Sequence, residues 1–264
     1  VPIVVMPTML RVMTMSRIIV DAFGGDNAPA CCIQGALLAR QKWGMDVAVV
    51  GDAQAIRSCA AKEGLSLDDI EIIGANGVIE MCDDPGEILK SKKDCSMAEG
   101  LRRVAAGDGD AFVSAGSTGA LVMGSTFYIK RIQGIKRAAL AVSVPTPKQP
   151  YLLIDSGANV ECRPEMLQSF GIMGSVYMER VMGVTSPRVG LLNVGTEESK
   201  GGELQHMAFA LLKASPLNFI GNVEARDVPG GGCDVVVCDG FSGNVVLKLT
   251  EGAASSLMGM IKGV

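Results

Sequence analysis

Apolar residues along this chain recur in two alternating rhythms. Short runs rich in Val and Ile fall at 17–22, 46–50, 70–73, 111–114, 138–144, 151–154, 188–194, 218–220 and 233–238. Between most of them lie longer stretches with apolar residues three and four apart, notably 29–43, 53–63, 97–106, 119–132, 164–182 and 202–214. The first rhythm predicts β-strands and the second predicts helices. Their alternation predicts an α/β fold of three layers, a mostly parallel sheet with helices on both faces.

Five glycine-rich turns follow strand-like runs: DAFGGD (21–26), SAGSTGA (114–120), DSGAN (155–159), NVGTEE (193–198) and DGFSGN (239–244). Glycine lets the chain turn sharply and bring N–H groups close to a ligand, and a helix N-terminus behind the turn favours negative charge. All five are expected along the carboxyl edge of that one sheet, where they form a crevice for an anion. Gly24, Gly25, Ser117, Thr118, Gly119, Asn159, Thr196, Ser242 and Gly243 are its candidate contacts. Asp26, Asp155 and Asp239 are expected to shape turns and cap helices, or to orient Lys200, instead of meeting the anion. Neither GxxxxGK[ST] nor a GxGxxG opening a βαβ unit is present, so no P-loop or dinucleotide fingerprint supports a nucleotide site.

Composition narrows the chemistry. The chain has 264 residues, a net charge of -4 and 48% hydrophobic residues, enough for one large domain or two lobes. With 4% aromatic residues and no long basic run, it lacks the footprint of a nucleic-acid binder. Its eight cysteines show no CxxC spacing, which favours buried thiols in a reducing cytoplasm over metal ligands or disulfides. The single histidine, His206, lies off the stripe formed by Leu204, Met207, Ala208, Leu211 and Leu212, so a solvated helix position is expected. No metal and no cofactor are called for.

Residues 1–14 are largely apolar, but Arg11 follows the apolar run instead of preceding it, unlike a signal peptide. They read as an N-terminal extension, disordered or not native to the protein and without a defined role, with Met15 a natural initiator and residues 15–264 as the functional domain.

Several long motifs carry a resemblance: DAFGGDNAP, KKDCSM, DAFVSAGSTGALV, GANVECRPE, RVGLLNVGTEESKG, NFIGNVEARD and DVVVCDGFSGNVVLK. In this order they resemble the bacterial acyl-carrier-protein:phosphate acyltransferases, the PlsX family. The resemblance implies a homodimeric α/β/α enzyme, similar in fold to isocitrate dehydrogenases and phosphotransacetylases. Its implied reaction is transfer of a fatty acyl group from acyl carrier protein to inorganic phosphate, giving acyl phosphate for phospholipid synthesis. It also implies a cytoplasmic enzyme, peripherally associated with the membrane and in contact with the membrane glycerol-3-phosphate acyltransferase. Relatives continue beyond the point where this sequence stops.

A thiolate leaves readily and phosphate is already nucleophilic, so this reaction calls for positioning and oxyanion stabilisation without a Ser-His-Asp triad. Lys200, in the loop GTEESKGG, is the candidate cation for phosphate or the developing oxyanion. Asn244, in the last turn, is the candidate oxyanion donor, with a helix N-cap as its structural alternative. The resemblance points to the same two residues. An acidic carrier calls for a basic docking patch, for which Lys90, Lys92, Lys93, Lys130, Arg131, Lys136 and Arg137 are candidates. Residues 243–264 predict an amphipathic helix suited to packing between subunits, with membrane contact as the alternative. Rival readings are a phosphotransacetylase-like enzyme using acyl-CoA, a decarboxylating dehydrogenase of the same fold, and an inactive scaffold that recruits partners to the membrane.

Overall fold

The computed structural model describes residues 3–5 and 16–263. They form two units, Val1–Gln133 and Gly134–Val264, each with its own five-stranded sheet. The mostly parallel α/β class stands, but the single sheet expected from the sequence is corrected to two. Polar residues at 130–137, among them Lys130, Arg131, Lys136 and Arg137, interrupt the apolar pattern where the units divide. Periodicity marks each strand but does not say which strands share a sheet.

The first sheet contains β1 (Ile3–Val5), β2 (Arg17–Asp21), β3 (Asp46–Gly51), β4 (Glu71–Gly74) and β5 (Ala111–Ser114) in the order β1-β5-β2-β3-β4. Strand β1 is antiparallel to β5 and the other pairings are parallel. Within the expected extension, then, Ile3–Val5 supplies an edge strand, and the rest of 1–14 lies outside the described residues.

Successive strand residues feed opposite faces, as the period of two requires. Ala48 and Val50 join a core with Leu101 and Val104 of α3 (Ser96–Ala106) and Leu121 of α4 (Thr118–Gly124). Val47 and Val49 join Ile33 and Ala36 of α1 (Ala30–Trp43) and Ile56 of α2 (Ala53–Lys62). Helix α3 buries Met97, Ala98, Leu101 and Val104, one stripe at helical spacing. It comes so close to β5 that any side chain at Gly100 would strike the Phe112 ring. The long helix expected at 119–132 is α4 followed by a wider π-type turn, Ser125–Ile129.

The second sheet contains β6 (Ala141–Val144), β7 (Tyr151–Ile154), β8 (Arg188–Asn193), β9 (Asn218–Glu224) and β10 (Val235–Val237) in the order β6-β7-β10-β8-β9. Strand β6 is antiparallel and the rest are parallel. Leu152, Ile154, Val235 and Val237 pack under α5 (Pro164–Arg180) and α6 (Glu203–Lys213). Tyr151, Leu153 and Val236 face the other way, where Val246 and Leu247 of α7 (Gly240–Lys262) cover them. Because β7, β10 and β8 are parallel neighbours, the turns that follow them emerge along one edge.

Buried Asp234 fastens the opposite edge of this sheet. Its carboxylate accepts bonds from Arg188 N (2.8 Å), Arg188 Nη2 (2.9 Å) and Gln149 Nε2 (2.7 Å). Burial pushes its pKa up, but the bonds from Arg188 outweigh burial and hold it below the usual carboxylate range. A carboxyl depressed in this way stabilises the fold above its unfolded pKa, near ~4, and loses that contribution as pH falls through the lower folded value. Asp234→Asn is expected to cost about 1–2 kcal/mol at pH 7, with the deficit shrinking below about pH 4, in urea unfolding curves. Equal stability at pH 7 would contradict this role.

Candidate active site

The turns at the carboxyl edge of the second sheet are organised by Asp155, which is wholly buried at the end of β7. Its Oδ1 accepts bonds from Leu140 N (3.0 Å), Gly157 N (3.1 Å) and Ala158 N (2.9 Å). Its Oδ2 accepts from Asn159 N and Asn159 Nδ2, both at 2.8 Å. The same Asn159 amide also donates to Ala138 O at 2.8 Å. Both the N–H and the amide of Asn159 are therefore engaged in holding the turn. Its part in the site is to shape the DSGAN loop.

The DGFSGN turn sits directly on this loop. Gly240 N donates to Asn159 O at 2.7 Å, and Cys238 Sγ donates to the Asp155 carbonyl at 3.2 Å. Gly243 is buried so tightly that a methyl group there would run into the Asp155 carbonyl oxygen. Asp239 is the cap of α7: its Oδ1 accepts from Ser242 N at 2.8 Å and its Oδ2 from Ser242 Oγ at 2.9 Å. This excludes the N-cap alternative for Asn244 and leaves the Ser242 hydroxyl inside the cap. Asn244 is exposed on the first turns of α7, and a methyl built at Gly157 would stand 3.8 Å from its Oδ1. Its amide has no hydrogen-bond partner among the described residues. Gly157 has φ 137°, a conformation that favours glycine and keeps the backbone beside Asn244 bare.

Beyond β8, the NVGTEE loop is braced from two sides. Asn193 Nδ2 donates to Lys200 O at 3.0 Å, and the buried Asn222 donates through Nδ2 to Glu197 O at 2.8 Å. The aliphatic part of Lys200 folds over Gly195, where a methyl would lie 2.9 Å from Cγ. Lys200 is exposed, as is Thr196, and among the described residues its ammonium has no carboxylate partner. His206 is exposed on α6, with Nε2 3.1 Å from Gly201 O.

The first unit joins the other two turns. Gly24 lies against Ser114 and Gly116, where a methyl would be 2.9 Å from Gly116 N, and Gly25, with φ 107°, lies against Ala115. Beneath them Asp21 accepts from Ser114 Oγ at 2.8 Å and from Phe23 N at 3.1 Å. Burial pushes the Asp21 carboxyl above its usual range, opposed by the Ser96 and Ser114 hydroxyls and the Phe23 and Gly24 amides. Ser117 is buried as the cap of α4, accepting from Ala120 N at 3.4 Å. Thr118 is half-buried, and Gly119 stands against Pro85. Asp26 is exposed and caps no helix: the residue before α1 is Pro29, without a side-chain cap.

The single crevice expected from five turns on one sheet is thus corrected: two turns lie on the first sheet and three on the second, because pairing between distant strands is not written in the local pattern. Among the docking candidates, Lys92 is engaged by Asp83 at 2.5 Å and by Val78 O at 3.0 Å. Sequence reasoning missed Arg163, which lines a cavity with Lys136 and Arg137. Asp155 shapes its turn, as the Asp followed by three small residues and Asn leads one to expect.

The fold and these turns define a class: α/β proteins with glycine turns at the carboxyl ends of parallel strands. A family profile described as "Fatty acid synthesis protein" matches residues 16–264. A phosphate acyltransferase from Clostridium botulinum is 46% identical over 246 residues, 93% of this chain and 73% of the relative. One from Acetivibrio thermocellus is 45% identical over 248 residues, covering 94% and 73%. The chain belongs to the phosphate acyltransferase family, a family of enzymes. Its fold is similar to a phosphotransacetylase from Streptococcus pyogenes, at TM-score 0.67 and 18% identity, covering 91% of this chain and 82% of that one. The EutD phosphotransacetylase from Staphylococcus aureus gives TM-score 0.62 at 19% identity, covering 91% and 83%.

Asp155→Asn would place an NH₂ group against N–H donors within the turn. A loss of about 3 kcal/mol in unfolding free energy is expected. Calorimetry showing an unchanged melting temperature would refute the assignment of Asp155 as the organiser of this edge.

Proposed function

We propose that this protein transfers a fatty acyl group from the thioester of acyl carrier protein to inorganic phosphate, releasing the carrier thiol and acyl phosphate. The observation that carries this reading is the pair of unengaged donors on adjacent turns, the Asn244 amide beside bare Gly157 and the Lys200 ammonium above Gly195. Family membership supports phosphate as the acyl acceptor; the carrier thioester is the finer step, supported by the resemblance of the sequence motifs.

In this mechanism Lys200 draws phosphate to the edge of the second sheet. A phosphate oxygen attacks the thioester carbonyl, and Asn244 donates to the oxyanion that forms. Collapse of that intermediate expels the thiolate, so no protein nucleophile is required. Thr196 and Gly243 shape the turns of this edge or offer backbone N–H groups there, and Gly24, Gly25, Thr118 and Gly119 do the same for the turns of the first sheet. Ser117, Asn159 and Ser242 contribute by capping and bracing.

The exposed half of α7, with Leu249, Leu257, Met260 and Ile261, is read as a packing surface between two subunits, consistent with a homodimer. Peripheral contact with the membrane, and with the glycerol-3-phosphate acyltransferase that consumes the product, is the second role for this surface. Among the described residues no helix is long and apolar enough to cross a membrane.

Lys200→Ala and Asn244→Ala are each expected to lower kcat about 100-fold while leaving the melting temperature unchanged, because each removes a donor that acts in the transition state. Steady-state acyl phosphate formation measures this, and full turnover in both folded variants would retire the assignment. Competition between carrier and coenzyme A thioesters in the same assay separates this reading from an acyl-CoA-dependent enzyme.

A further inference from the structure

The second unit holds a cavity of about 680 Å³ between residues 134–137 and the first turns of α5. Lys136, Arg137 and Arg163 line it, together with Glu161, Glu165 and Asn159. Ion pairs in this unit involve Arg188, Lys213, Arg226 and Lys248. Among the described residues the three lining cations are therefore unpaired. They outnumber the two lining carboxylates by one charge.

The positive end of α5 adds to this field. It begins at Pro164 with no side-chain cap, and the preceding residue is Arg163 itself. The cavity is also tied to the proposed reaction centre. Asn159 lines it while donating to Asp155 and Ala138, and its carbonyl accepts from Gly240 at the start of α7. The cavity thus adjoins the DSGAN turn through Asn159, two residues from the Gly157 that lies beside Asn244.

We infer that this cavity receives the phosphodiester-bearing thiol arm of the acyl carrier, with Lys136, Arg137 and Arg163 holding the phosphodiester. The inference rests on the carrier-thioester reading given above. A phosphodiester carries one negative charge, which matches the net single positive charge of the lining. Arg presents several donors in a planar fork suited to phosphate oxygens, and Lys adds a point charge. Coenzyme A offers a similar phosphorylated arm, so the experiment includes it.

Binding of three probes is measured for the wild type and for the triple variant Lys136→Ala, Arg137→Ala, Arg163→Gln. The probes are the carrier with its arm, the carrier lacking the arm, and coenzyme A. The wild type is expected to bind the armed carrier more tightly than either other probe. The triple variant is expected to bind it about tenfold more weakly, with binding of the armless carrier unchanged. In turnover, KM for the acyl carrier rises while kcat and KM for phosphate stay the same. Arg163→Lys, which keeps the charge, restores most of the affinity and serves as the check should the triple variant fold poorly.

Three results would overturn the inference: unchanged binding of the armed carrier, equal losses for armed and armless carriers, or tighter wild-type binding of coenzyme A than of the armed carrier. Acyl phosphate formation with unchanged carrier binding in the variant would sink this subsite alone. Loss of armed-carrier binding in the variant, without acyl phosphate from the wild type, would sink the reaction and leave the subsite standing.

Discussion

The second unit depends on one buried carboxylate. Asp155 gathers N–H donors from Leu140, Gly157, Ala158 and Asn159, and so ties the segment before β6 to the turn after β7. A carboxylate removed from water costs several kcal/mol, and charge-assisted bonds of this number and length offset that cost. Because Gly240 and Gly243 of α7 rest on the same loop, the carboxylate also sets where Asn244 stands. Loosening Asp155 would release the lining of the cavity and the proposed oxyanion donor together.

Acidic residues in these turns would repel an anion if they faced it. Here they face inward. Asp155 and Asp21 each sit at the end of a strand under a glycine turn, and Asp239 closes the first turn of α7. Their environments differ: Asp21 meets hydroxyls as well as amides and is pushed up by burial, while Asp155 meets a full set of amides. The carboxylates thus build the loops that carry N–H groups and the Asn244 amide, while the Lys200 loop is braced by the amides of Asn193 and Asn222.

Much of this was legible in the sequence, because strand and helix rhythms are local. The runs at 111–114 and 151–154 coincide with β5 and β7, and 53–63 differs from α2 by one residue. The single expected sheet became two because pairing is non-local: β10 inserts between β7 and β8, and no local pattern states that. Asp239 caps α7 as the sequence leads one to expect, because an Asp just before a helix is a local signal, and this removes the cap as an alternative role for Asn244, five residues later. Arg163 escaped notice because it adjoins Lys136 and Arg137 only through the fold. Lys92 looked like a free surface cation until Asp83 was found beside it.

The account joins an edge built by buried carboxylates to a reaction needing only a placed phosphate and a stabilised oxyanion. Mass spectrometry of the product formed from palmitoyl carrier protein and phosphate labelled at every oxygen with a heavy isotope tests it most directly. The account predicts palmitoyl phosphate that keeps all the labelled oxygens, because a phosphate oxygen attacks the carbonyl and only the thiolate leaves. Release of unlabelled palmitate without acyl phosphate would contradict it.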